Sequence, residues 1–502
     1  MKSPLFAIHL GREAYPCAEI QHGLTHRSSD PPRPARVSRL GVFPVILYAT
    51  IAACLATQAA ELPKHLALAR EILQELIETD TTHSTGDTTK AAEALGKRLR
   101  ASGLPAADIQ VVGPDPRTRN LVVRYRGVGK RGPILLLGHL DVVEARREDW
   151  SLDPFKLTEK EGFFYGRGTA DIKGCDSALV SALIRLRQEG FQPDRDLIVA
   201  FTAGEEGSAV NNGLNWILKN RRDLIEAAYC LNVDAGGPAR SQGKAVGYHV
   251  QAAEKGYLTL RLEVHNRGGH SSQPRPDNAI YQLAHALVKL SALKFPVHLN
   301  EVTRDYFAKT SDAETGQLAS DMKAVLENPP DPGAATRLSE NPLYNSVLRT
   351  TLVATMLDAG HAENALPQNA RATVNCRLAP GEVQAEIIAK IREVIEDEKV
   401  LVSVIEPAAP SPVSPLTAEL SQALQKVVQS AWPKLPVVPV MSTGATDGRY
   451  LRQAGIPTYG VGLCFQDLDD FRAHGRDERL GVQDFYQGVD FAYALVKAVS
   501  SH

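Results

Sequence analysis

Two adjacent carboxylates close an apolar run in LIVAFTAGEEGSAV, residues 197–210. Leu197–Ala203 reads as a buried strand, and Glu205 and Glu206 follow Gly204 at its end. Carboxylates in such a place are costly unless they are paired or bind metal. The pattern recurs along the chain. LLLGHLD supplies His139 and Asp141, GRGTADIKG supplies Asp171, CLNVDAGG supplies Asp234, and the downstream loop FRAHGRDE offers His474. Histidine nitrogen with carboxylate oxygen suits zinc, or cobalt or manganese in its place. Two ions about 3.5–4 Å apart need one bridging group with ligands on either side, which His139, Asp171, Glu206, Asp234 and His474 would provide. Asp141, two residues beyond His139, is placed to accept the other imidazole N–H and fix its tautomer. Each signal alone is weak: a histidine after a strand is usually structural, paired glutamates are usually solvated, and an aspartate such as Asp234 can cap a helix. Their joint occurrence, in order, beside glycines and strand ends, is what scattered surface charges would not produce.

The elements that must position them alternate helix and strand from about Leu62. LALAREILQELIE and TKAAEALGKRLRASG have helical spacing of apolar residues, and the second stops at Gly103. NLVVRYRG and GPILLLGHLD are strand-like, the latter a continuous apolar run of the kind covered on both faces of a parallel sheet. The amphipathic helix DSALVSALIRLRQEG and the strand DLIVAFTA then complete a βαβ unit. Near Glu254 the pattern changes to alternating strands (YLTLRLEVHN, RTTLVATMLDAG, QNARATVNCRLA) with helices NAIYQLAHALVKLSAL and EVQAEIIAKIREVIEDE, and an irregular stretch from about Phe295 to Tyr344. EPAAPSPVSP, Glu406 to Pro415, reads as a Pro-rich linker, after which α/β character returns. The expected fold is therefore α/β, a catalytic domain with a mostly parallel central sheet into which an α+β domain is inserted. The expected divisions are a leader with signal peptide at 1–60, a first catalytic segment at 61–252, the inserted domain at 253–410 and a second catalytic segment at 411–502.

The chain has 502 residues, 43% hydrophobic and 23% charged, with a net charge of -2, which gives no reason to expect nucleic acid or an anionic membrane as partner. RVSRLGVFPVILYATIAACLATQAA has basic residues (Arg36, Arg39), a short apolar run broken by Pro44 and a small-residue tail, as an export signal cleaved near Ala59 or Ala60 would. That predicts a periplasmic or secreted protein. IAAC, ending at Cys54, resembles a lipobox, so membrane anchoring by lipidation at Cys54 is the alternative. Cys175, Cys230, Cys376 and Cys464 are scattered without a Cys-x-x-Cys pair, which points to free buried thiols. There is no Gly-x-Ser-x-Gly elbow of a serine hydrolase, and GVGK at Gly127 to Lys130 lacks the spacing of a phosphate loop.

Together GHLDVV, DPF, FYGRGTADIKG, TAGEEGS, NRGGHSS, NALPQNARATVNCRLAPGE, STGATDGRYL and AHGRDE resemble the di-zinc metallopeptidases related to glutamate carboxypeptidase, aminoacylase, carnosinase and succinyl-diaminopimelate desuccinylase. The resemblance runs from about Leu62 to the C-terminus, and the long secreted carboxypeptidase and N-acyl-amino-acid hydrolase branch looks nearest. It implies that Asp171 bridges two divalent metal ions, that Glu206 and His474 complete one site, and that His139 and Asp234 complete the other. Glu205 would be the general base that deprotonates the attacking water and then protonates the leaving amine. The inserted domain would act as lid and as the surface of a possible homodimer. His270 of GGHSS would reach an active site, often that of a second copy, to stabilise the oxyanion. Arg377 and Asn364 would bind the substrate's carboxylate and backbone, and Gly444 or Thr446 backbone groups would contact ligand. Asp234 stands where carboxypeptidase and acylase members often carry Glu, so a dipeptidase or aminopeptidase on the same scaffold stays open. So does an inactive relative serving as a binding module. The implied substrate is a small peptide or N-acyl amino acid.

Overall fold

The apolar run Ile134–Leu137 shows how the central sheet is built. In the computed structural model, which describes residues 61–207, 211–409 and 411–501, all four side chains are at most 2% exposed. Ile134 and Leu136 pack into one core cluster while Leu135 and Leu137 pack into another. The neighbouring strand behaves alike, with Leu197, Val199 and Phe201 on the first face and Ile198 and Ala200 on the second. A strand buried on both faces has no polar side to alternate, which is why its sequence is a solid apolar run.

These strands lie in a ten-stranded sheet ordered Ile109–Val112, Asn120–Tyr125, Arg195–Thr202, Arg131–His139, Tyr229–Asn232, Thr458–Gly460, Lys244–Glu254, Gly237–Ser241 and Gln466–Asp467, with Val437–Ser442 paired to Lys244–Glu254. The four strands from 195–202 to 458–460 run parallel. Antiparallel pairs flank them on both sides, so the sheet is mixed around a parallel centre. Helices Lys64–Glu78, Thr88–Ala101, Lys173–Gln188, Ala418–Ala431 and Val482–Ser500 supply the first core.

A second sheet of four antiparallel strands is ordered Thr351–Ala359, Asn369–Leu378, Gly256–His265 and Val400–Glu406. One face is covered by helices Ala279–Ala292 and Gln384–Ile395, whose Leu283, Leu290, Ile387 and Ile391 meet Leu258, Leu260, Val374 and Cys376. Alternation is visible in these strands because only one face is buried.

Two expectations need correction. The stretch from Phe295 to Tyr344 is helical rather than irregular, with helices Glu301–Ala313, Gly316–Ala324, Pro332–Leu338 and Pro342–Leu348. Three of them have nine residues or fewer, and Glu301–Ala313 is mostly polar, so apolar periodicity is weak; three of the starts are written in caps, Asn300 with Thr303 in a capping box, and Asp331 and Asn341 each followed by Pro. Their Val302, Phe307, Met322 and Val347 join the core of the larger sheet. The Pro-rich segment after Glu406 is no free linker either. Ser411 and Ser414 are buried, and Ser414 N donates to Ala252 O at 2.8 Å. Cys175, Cys230, Cys376 and Cys464 are free and buried. The leader, with its export and lipidation signals, lies outside the described residues. Among those described, no helix is long and apolar enough to cross a membrane.

Candidate active site

The sheet's parallel centre ends in the residues with chemical potential. His139 closes one strand, Thr202 its neighbour, and Asn232 the third. At Gly204 the chain takes φ +78°, and a Cβ there would meet Asn211 O at 2.5 Å, so glycine is needed to turn the pair Glu205–Glu206 back over the strand ends. His139 is 1% exposed. Its Nε2 lies 3.2 Å from Asp171 Oδ1 and 3.5 Å from Asp234 Oδ1. On the other side His474 Nε2 lies 3.1 Å from Asp171 Oδ2 and 2.9 Å from Glu206 Oε1. Asp171 thus touches both imidazoles, one with each oxygen.

Two donor groups result, His139 with Asp171 and Asp234, and Asp171 with Glu206 and His474, each with its ligand atoms within 4.8 Å of one another. The imidazole–carboxylate separations of 2.9–3.5 Å fit donors about 2 Å from a common ion. Glu205 falls in a third group, with His139 and Glu206. The charges agree with a cationic occupant, since Asp171, Glu205, Glu206 and Asp234 surround only two imidazoles. Burial pushes Asp234 up to about 7. Burial, and then the charge of Asp234, raise Glu205 well above the usual carboxylate range. Hydrogen bonds to Asp171 and Glu206 push His474 up to about 10. Burial works against a charged His139, yet the neighbouring Asp234 and Asp171 hold its pKa well above the ordinary value.

Asp141 acts differently from the expectation. His139 Nδ1 lies 2.9 Å from the Asp141 backbone carbonyl, whereas the Asp141 carboxylate is 3.9 Å away. A carbonyl only accepts, so Nδ1 carries a proton and Nε2 is the atom turned toward Asp171 and Asp234. The Asp141 carboxylate instead accepts the backbone N–H of Glu205 (3.2 Å) and of Glu206 (2.9 Å). It holds the turn that presents both glutamates.

The remaining candidates are held by partners outside the two donor groups. His270 is exposed, and its Nδ1 accepts from Ser272 N at 3.1 Å. Exposed Asn364 is beside it, its carbonyl accepting Ser271 N at 3.0 Å. Arg377 is half-buried on the second sheet, where its guanidinium stacks 4.5 Å over the Tyr257 ring and donates to Asn375 at 3.2 Å. Gly444 N donates to Ser442 Oγ (3.1 Å) and Thr446 N to Glu254 (2.8 Å).

Other supporting residues lie inside the motifs without standing out in sequence. Glu478 of AHGRDE is fully buried and accepts from Arg167 (2.6 Å) and from the backbone N–H of Gly168, Ala170 and Asp171. Arg167 also donates to Gly475 O at 3.0 Å, stitching the Asp171 loop to the His474 loop. Asp447 accepts from Thr202 (2.7 Å) and from Asn212, pinning STGATDGRYL to the strand ends. A cavity of about 630 Å³ opens beside Glu206, His474 and Asp141, with Val142, Val143, Trp216 and Thr82 among its walls.

A mixed sheet with this acid–imidazole cluster beyond its parallel strand ends offers paired sites for divalent metal ions. The chain belongs to the peptidase family M20/M25/M40, whose profile matches residues 135–498. It is 31% identical to the human N-fatty-acyl-amino acid synthase/hydrolase over 379 residues, 73% of this chain and 74% of that protein. It is also 31% identical to the probable carboxypeptidase S-like 2 of Dictyostelium discoideum, over 75% of this chain and 74% of that one. Its fold matches the M20 family metallo-carboxypeptidase Sso-CP2 of Sulfolobus solfataricus with a TM-score of 0.65 at 17% identity, covering 86% of this chain and 99% of that one.

Proposed function

We propose that the protein is an exported exopeptidase or amidase that hydrolyses an amide bond next to a free carboxylate, in a small peptide or an N-acyl amino acid. The observation that carries this is the pair of three-donor groups sharing Asp171, with Glu205 beside them. His139, Asp171 and Asp234 would hold one divalent ion and Asp171, Glu206 and His474 a second. Zinc suits these donors best, with cobalt or manganese able to replace it. Bound metal supplies Lewis acidity, lowering the pKa of water toward ~7 and polarising the scissile carbonyl.

The chain's own residues do the rest. Glu205 takes the proton of the attacking water and returns it to the leaving amine, a task suited to a carboxyl whose pKa burial has raised. Asp141 holds the Glu205–Glu206 turn. Arg377 offers a guanidinium for the substrate carboxylate, Asn364 and backbone groups of Gly444 and Thr446 orient its amide, and His270 of a second copy donates to the oxyanion. Support for a homodimer is the outer strand Thr351–Ala359, an exposed sheet edge carrying Val353, Met356 and Leu357 at 58%, 69% and 68% exposure. Export, with lipidation at Cys54 as the alternative, rests on the leader alone.

The test is hydrolysis of a panel of N-blocked and free-amine substrates, with and without chelator. Chelator-sensitive turnover of N-blocked substrates bearing a free carboxylate is expected. Turnover of free-amine peptides alone would make the protein a dipeptidase or aminopeptidase. Protein purified without chelator that carries no metal, and stays inactive with added zinc or cobalt, would be a binding relative.

A further inference from the structure

The chain crosses between the two sheets twice, outward where Lys244–Glu254 gives way to Gly256–His265, and back after Val400–Glu406. Both crossings meet at one buried ion pair. Glu254 is 0% and Arg452 4% exposed. Glu254 Oε1 accepts from Arg452 Nη1 at 2.7 Å and from Ser411 Oγ, on the returning crossing, at 3.2 Å. Its Oε2 accepts from Thr446 N at 2.8 Å, Thr446 Oγ1 at 3.2 Å and Gln251 Nε2 at 3.4 Å. Arg452 donates onward to Thr458 O (2.8 Å) and to Ser414 Oγ (3.3 Å). From Thr446 the connection continues into the active site, because Asn232 Nδ2 donates to Thr446 Oγ1 at 3.4 Å and Asn232 Oδ1 accepts Asp234 N at 3.1 Å.

Buried ion pairs rarely add net stability over apolar residues of the same volume, so stability alone does not account for this one. Its specificity lies in what it joins. One carboxylate is shared by the outgoing crossing, the returning crossing and the loop 442–447. The next residue gives an internal contrast. Lys255 is also buried, but its Nζ donates to Ser346 O, Arg349 O and Thr351 Oγ1, none of them in that loop.

We infer that Glu254 is a positioning residue of the active site: it holds loop 442–447 in its substrate-binding shape and ties that shape to both crossings of the second sheet. This rests on the reading that Gly444 and Thr446 contact substrate. Any shift of the second sheet about residues 254–256 or 406–414 moves the acceptor of the Thr446 N–H, so loop shape and sheet orientation change together.

The test uses the full chain loaded with zinc, an N-acyl amino acid substrate, and hydrogen exchange at residues 442–447. Glu254→Gln is expected to raise KM about tenfold, the scale of losing a hydrogen bond to a charged group, with kcat within about twofold and metal content unchanged. The Thr446 amide should lose its protection in the same variant. Lys255→Met should lower the melting temperature while leaving KM and loop protection as in the wild type. A purely structural role would move KM equally in both variants or in neither, and either result overturns the inference. Should Glu254→Gln fail to fold, Ser411→Ala decides, since it touches Glu254 from the far side of the loop. A rise in KM of about threefold with faster loop exchange, a fraction of one hydrogen bond's worth, supports the inference, and wild-type values for both reject it. If the wild type cleaves no carboxylate-bearing amide, the proposed function fails, and loop exchange in the variants then judges the positioning role by itself.

Discussion

The two sheets handle their polar residues in opposite ways. In the larger one, neighbouring parallel strands all finish on the same side, which brings His139, the Glu205–Glu206 turn and Asp234 within a few ångströms of each other. In the smaller, Arg377 lies on an antiparallel strand, while His270 and Asn364 sit on and beside a separate two-stranded ribbon that pairs Gly269–His270 with Ala365–Leu366. Parallel order concentrates chemistry at one edge. Antiparallel order distributes it, so under the proposed function the residues there would act only once substrate, or a second copy, brings them to the cluster.

The largest effect is expected at the residue common to both metal groups. Asp171→Ala should remove bound metal and take turnover below detection, measured by metal analysis and hydrolysis together. Retention of one tightly held ion would mean that the two groups are not joined through Asp171. Next, Asp141→Ala frees the N–H groups of Glu205 and Glu206 without touching a proposed ligand side chain, and activity should fall about 10–100-fold, as when outer partners of a metal site are lost. An unaltered rate would show that the turn holds itself.

On the second sheet, Met356→Lys places a charge on the exposed edge strand and should shift a dimer toward monomer in sedimentation. With His270 supplied by a second copy, turnover should fall with dissociation. Full activity in a monomer would instead place the oxyanion donor within one chain. The smallest effect concerns the junction. Burial lowers Lys255 from the usual 10.5 to about 7, so between those values the unfolded chain binds more protons than the folded one. Stability contributed by this position therefore rises as pH rises from about 7 to 10.5. The wild type should gain on Lys255→Met across that window in denaturant titrations, and parallel profiles would mean that Lys255 keeps its ordinary pKa.

Much of the larger sheet is legible in sequence because burial on both faces leaves solid apolar runs, and its chemical residues are legible because they interrupt those runs. The same logic explains what stays hidden. Asp141 reads as a partner for an imidazole side chain, yet its backbone does that work, and sequence carries no sign of which oxygen of a residue is used. Glu254 and Arg452 are nearly 200 positions apart in elements that packing alone brings together. The helices between 301 and 348 escape a reading by periodicity because three are brief and the longest, Glu301–Ala313, is mostly polar. Asn300, Asp331 and Asn341, which cap three of the four, are the readable signal.

The proposed function gives adjacent glutamates separate duties, so the sharpest measurement is bound metal and turnover in Glu205→Gln and Glu206→Gln side by side. Glu205→Gln should keep two ions per chain while turnover drops about 10²–10⁴-fold, the range lost with a general base. Glu206→Gln should bind metal more weakly and recover some of its rate when zinc is raised. Equal metal loss in both variants would contradict the division of roles.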